Sequence, residues 1–148
     1  MIALLLSAFL QDDASRTREL LHQLDSDVIE QRESAAAELR RVGRSDPEVD
    51  RLIEEAFRAG SPEAKARLQT VVLARRLAKI VPNHEALLDR LCSASRDVRQ
   101  LAMRHLLKFR GAAAPVAVLF LGDMDLAYDS LEIIAESGDA SYGEAVRP

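Results

Sequence analysis

The chain has 148 residues, 48% of them apolar, 30% charged and only 4% aromatic, with a net charge of -4. A single domain of that length buries roughly 70% of its unfolded surface, so neither a metal nor a disulfide is needed to hold a core. The lone cysteine, Cys92, excludes an internal disulfide and a multi-cysteine zinc site.

The overall charge is too mild to predict either a nucleic-acid binder or an acidic tail, but its distribution is uneven. Residues 1–63 carry 8 basic and 14 acidic side chains, residues 64–110 carry 11 and 3, and residues 111–148 carry 1 and 7, for net charges of -6, +8 and -6. A basic middle between acidic ends focuses field on a partner; equally, successive layers of one fold can complement each other.

The start, MIALLLSAFL, is apolar but too short for a membrane span, which needs roughly 20 residues. Two readings of residues 1–11 stay open. The abrupt stop at Gln11-Asp12-Asp13 suits a short export signal, the preferred reading, although no Lys or Arg precedes the run and no clean small-x-small cleavage site follows it. Otherwise the run is part of a packed first helix. Residues 12–148 then form one repeat domain.

Residues 13–24, with Leu20, Leu21 and Leu24 on one face, predict the first helix. After it a period of 33 to 34 residues appears. The segments 31–39, 64–72 and 98–106 superpose, and each places a base at the same position: Arg32, Lys65 and Arg99. A degenerate fourth copy begins at Ala127 with Tyr128 in the basic slot. Asp27, Ser61 and Ser95 are good N-cap residue types, Asp27 with Glu30 has the form of a capping box, and Pro62 suits a first helical position. Gly43, Gly60, Gly111, Gly122 and Gly138 follow periodic stretches, and Pro82 ends a long helix that begins near residue 62.

Shorter partners lie between the copies, clearest after Asp46-Pro47, where Val49, Leu52, Ile53, Ala56 and Phe57 keep helical spacing. Others span about 83–92 and 115–121. In the third copy, Val98, Leu101, Ala102, His105, Leu106 and Phe109 form one stripe and are expected in the core, with His105 at the core or groove edge. Only the run Val116 to Leu121 is arguable as a strand. Short turns make each helix pair antiparallel.

Leu24-Asp25-Ser26-Asp27 through Arg32-Glu33-Ser34-Ala35 to Val42-Gly43, with Asp97-Val98-Arg99-Gln100-Leu101-Ala102, resembles the HEAT-like repeat in the divergent form common in bacterial proteins. The resemblance covers about residues 13–138. It implies an all-α fold, a short right-handed α-solenoid (an α-α superhelix, ARM-like) of about four antiparallel helix pairs, and a function in binding. The chain departs from the pattern at one place. The acidic residue usually found six positions before the repeat's Arg is replaced by Ser26, Ala59 and Ser93, which puts an acid–base ladder between repeats in doubt.

No His-Glu-x-x-His, Cys-x-x-Cys, phosphate-binding glycine loop or Gly-x-Ser-x-Gly elbow occurs. Glu19-x-x-His22 has a di-iron helical spacing but lacks the second motif and the extra glutamates. Cys92, beside Leu88 and Leu91, reads as a small buried apolar residue. No catalytic residue, metal or cofactor is expected, and the chain is expected not to be an enzyme.

Function therefore rests on surface. The leading expectation is a noncatalytic protein-interaction or scaffold module whose inner helices present Lys65, Arg75, Arg76, Lys79, Arg99 and Arg104 to an acidic protein partner. The alternative is a nucleic-acid-binding solenoid using the bases of 64–110. Against it, stacking aromatics are scarce there. The acidic fourth copy, with Asp123, Asp125, Asp129, Glu132 and Glu136, either caps the solenoid or is covered by a partner or a second copy of the chain.

Overall fold

The structure, a computed structural model, describes residues 2–143, with the side chains of 2–12 outside that description. Every regular element among the described residues is helical: α1 Ile2–Gln23, α2 Ile29–Leu39, α3 Pro47–Ala59, α4 Pro62–Ala78, α5 Glu85–Leu91, α6 Arg96–Leu107, α7 Ala114–Ala117 and α8 Ala127–Ser137. Short 3-10 turns occupy Arg110–Ala113, Val118–Phe120 and Ala140–Gly143. The chain is thus all-α, and the arguable strand at Val116–Leu121 is α7 followed by a 3-10 turn. The expectations for the apolar start, packed or removed, fall on side chains outside the described residues. The chain divides into two compact units, Met1–Arg75 and Arg76–Pro148, where the sequence alone suggests one domain over 12–148.

In the first unit α1 packs on α2 and α3. Leu20, Leu24, Ala35, Leu39, Val49 and Ile53 are almost completely enclosed, and each large aliphatic contributes about 1.5–3 kcal/mol through burial. The start of α3 follows its sequence signals: Pro47 takes the first turn and the Asp46 carboxylate accepts from the Glu48 N–H at 2.9 Å. The start of α2 does not. Its N-cap is Val28, without a side-chain cap, and the Ser26 hydroxyl accepts from the Val28 N–H at 3.2 Å, so the expected Asp27–Glu30 box is not formed. Gly43 sits at φ +47, and a Cβ there would lie 2.7 Å from Cγ2 of Val49.

The most deeply buried charged residue of this unit is Arg75, only 6% exposed. Its Nε donates to Asp50 Oδ1 at 2.7 Å, and its other nitrogens donate to the carbonyls of Leu39 (3.0 Å), Val42 (2.7 Å) and Gly43 (3.1 Å). The last carbonyls of a helix lack intrahelical donors and sit at its negative end. A buried guanidinium with five fixed donors satisfies several at once.

In the second unit α6 packs on α5 and α8, and α8 on α7 and the Arg110–Ala113 turn. Leu87, Leu88 and Leu91 of α5 are buried, but Cys92, just past the helix end, is exposed, contrary to its expected burial. The buried face of α6 is also turned from the expected stripe. Ala102, Met103 and Leu106 are enclosed, whereas Leu101 is 64% exposed and His105 lies at the surface, its ring 5.9 Å from that of Phe109. The turn follows from polar anchoring: Arg99 and Gln100 bond the loop before α8, at Asp125 Oδ2 (3.0 Å) and Asp125 O (3.2 Å). That contact aims the adjoining face inward. At Gly111 an added Cβ would fall 2.4 Å from the Cα of Ser137, so only glycine permits this turn to approach α8.

Arg75→Met is expected to lower unfolding free energy by about 3–5 kcal/mol, because Asp50 and the carbonyls of Leu39, Val42 and Gly43 lose this donor. Asp50→Asn should cost distinctly less, since those carbonyls still hold the guanidinium. Urea denaturation of both variants measures the difference. The same assay should show Gly111→Ala losing about 1–3 kcal/mol to overpacking. Gly122→Ala, whose Cβ meets nothing within 4 Å, should stay within about 0.5 kcal/mol of the parent.

Candidate interaction surfaces

The six bases expected to form one contact ridge do not share one environment. Lys65, on the first turns of α4, Lys79, after its end, and Arg104 on α6 are exposed. Arg75 is enclosed and its donors serve its own unit, so its expected presentation to a partner is corrected to a role inside the fold. Arg76 is half-buried and donates to the Pro115 carbonyl. Arg99, its side chain 19% exposed, is likewise engaged within its own unit.

Arg99 gives the chemistry of the repeat base. Its Nη1 donates to the carbonyls of Ser93 (3.0 Å) and Ala94 (3.1 Å), its Nη2 to Asp125, and Asp123 Oδ2 lies 3.5 Å from Nε. Arg32, at the matching position, donates to the carbonyl of Ser26 at 2.7 Å. In both copies the base reaches the backbone of the residue six positions earlier, where the sequence lacks the acidic side chain. Arg96 adds a 3.1 Å pair with Asp125. The acids of the 123–125 loop thus neutralise bases of α6.

Among its exposed residues the second unit also carries a run of apolar ones. Met124 is 94% exposed, Tyr128 80% and Leu131 40%, with Ala135 also exposed. The intervals of three and four residues put Tyr128, Leu131 and Ala135 on one face of α8, and Met124 lies in the turn before it. Leu126, Ser130, Ile133 and Ile134, on the other face, are buried. Glu132 and Glu136 are exposed on the same helix. The available signal in the sequence was that Tyr128, Leu131 and Ala135 add apolar positions beside the Ile133–Ile134 pair, so that the apolar sector of α8 is wider than one neighbour covers.

In the first unit a cavity of about 150 Å³ is lined by residues at the ends of α1 and α3 and the start of α4, with Arg67 and Asp25 among them. Among the described residues no three His, Cys, Asp or Glu converge as metal ligands would, and no helix is long and apolar enough to cross a membrane. Glu19 pairs with Arg16 at 2.9 Å and bonds Gln23, and His22 is exposed. Comparison with protein-family models, curated proteins and solved structures finds no match to this chain.

Displaced ionisation is found at exposed groups: Asp139 is held low by hydrogen bonds from Ser141, and two glutamates by arginines. The Arg16 guanidinium, forked on Glu38 at 2.8 and 2.9 Å, holds that carboxyl below its ordinary 4.5, against a smaller opposing effect of desolvation. Arg51 does the same to Glu48. A carboxyl whose pKa is lower folded than unfolded stabilises the fold above the unfolded value, and that stabilisation is lost as pH falls through the lower, folded one. Glu38→Gln should therefore flatten the fall of stability between about pH 5 and pH 3, modestly because the pair is exposed. Superimposable stability–pH curves for variant and parent would remove Glu38 from the acid response.

Proposed function

We propose that the chain is a noncatalytic protein-interaction module built from HEAT-like repeats, a short right-handed solenoid of about four helix pairs. The observation that carries the binding reading is the α8 stripe of Tyr128, Leu131 and Ala135, turned away from its own core, with exposed Met124 in the turn before it. Contiguous exposed apolar surface is unusual on a protein that binds nothing, and Tyr and Met are enriched where proteins meet. Support for the repeat comes from Arg32 and Arg99, which stand at matching positions and make the same contact six residues back.

The nucleic-acid reading is the weaker one. Arg75 and Arg99 already bond groups of their own units, which leaves fewer guanidiniums for phosphates. The partner surface is accordingly moved from the basic inner helices to α8.

Tyr128→Ser combined with Leu131→Ser changes only exposed positions and should leave thermal stability nearly unchanged. Proteins captured from native cells by the parent chain should be retained by this variant roughly 30-fold more weakly, as loss of a hot spot of about 2 kcal/mol implies. Equal retention of every captured protein would rule out α8 as the contact.

A further inference from the structure

We infer that the first unit carries a second, separate docking site: a socket for one apolar side chain of a partner segment whose flanking residues are Lys or Arg. The floor consists of Leu21, Leu24, Ala56, Ala64 and Leu68, and the volume is about 150 Å³. An apolar cavity of that size admits benzene, so a Leu, Met or Phe side chain is of the right scale. The space exists because Ala56, Gly60 and Ala64 are small where three helix ends meet. Gly60 leaves no slack in the backbone, since a Cβ there would lie 2.8 Å from the Ala56 carbonyl oxygen.

The rim selects charge. Arg67 is fixed by three acceptors, the Leu24 carbonyl (3.2 Å), Asp25 Oδ1 (3.1 Å) and Glu63 Oε1 (2.6 Å). Asp25 lines the cavity beside Arg67, and Glu63 is held next to it through Arg67, so one guanidinium faces two carboxylates whose side chains are 70% and 76% exposed. The second oxygen of each makes no hydrogen bond among the described residues, so both remain available to an incoming cation. The same loop adds exposed Asp27 and an apolar shoulder, Val28 at 46% and Ile29 at 57% exposure. An anionic ligand would meet a guanidinium already neutralised inside a segment, 1–63, of net charge -6. A segment with an apolar anchor and flanking bases meets a complementary surface in both respects.

Selection of a random-peptide library displayed on phage against the full chain tests this directly. Enriched peptides should carry one Leu, Ile, Met or Phe with Lys or Arg within a helical turn. A synthetic peptide of the enriched sequence should bind at least about 10-fold more weakly to Ala64→Phe, which fills the socket, and to Asp25→Asn with Glu63→Gln. The latter pair is exposed, so it remains informative if Ala64→Phe fails to fold. Affinity should fall with salt and be unchanged by Tyr128→Ser with Leu131→Ser, so the socket is judged apart from α8. Enrichment of acidic peptides, no enrichment, or affinity indifferent to both variants would overturn the inference. So would concentration-dependent self-association of the parent chain that Ala64→Phe abolishes, because the occupant would then be a second copy.

Discussion

The buried guanidinium of Arg75 is the constraint on which the first unit depends. A bare cation in an apolar interior is prohibitively costly. It is tolerated here because Asp50 supplies a carboxylate and the carbonyls of Leu39, Val42 and Gly43 supply the remaining acceptors. One side chain of α4 thereby ties down the end of α2, the turn through Gly43 and the side of α3. The tight φ of Gly43 and the close approach of Val49 to it belong to the same construction.

Arginine acts in a second, more exposed manner elsewhere. Arg16 bridges α1 to Glu38 of α2, Arg67 joins α4 to the loop after α1, and Arg99 ties α6 to the loop before α8. In each case a forked donor spans a gap between elements that a lysine ammonium would not hold in fixed geometry. The uneven charge along the chain thus serves intramolecular bonding in part: the 123–125 acids face α6, and Asp50 faces Arg75. A basic segment of sequence is consequently not the same thing as a basic face.

The exposed apolar features of each unit have acidic neighbours. Met124, Tyr128 and Leu131 stand beside Glu132 and Glu136, and the first unit's cavity stands beside Asp25 and Glu63. The partners proposed for these two features bring an apolar anchor, and at the socket positive charge, the reverse of the acidic partner that the basic middle segment suggests.

The sequence by itself determined the all-α class and most helix positions, because apolar spacing and stop signals are local: Asp46-Pro47 opens α3, Ser61 precedes α4 and Pro62 opens it, Pro82 follows its end, and Gly138 closes α8 in the left-handed conformation. It also marked the repeat base shared by Arg32 and Arg99, though not its acceptor, a backbone carbonyl that no residue name reveals. Tertiary structure decided everything that turns on which side of a helix meets a neighbour. Periodicity allows several adjoining faces, and for α6 the bonds of Arg99 and Gln100 to the 123–125 loop select one, leaving Leu101 and His105 outside. Tertiary structure likewise enclosed Arg75 and exposed Cys92. Burial depends on what packs alongside, and that is a property of residues far apart in the chain.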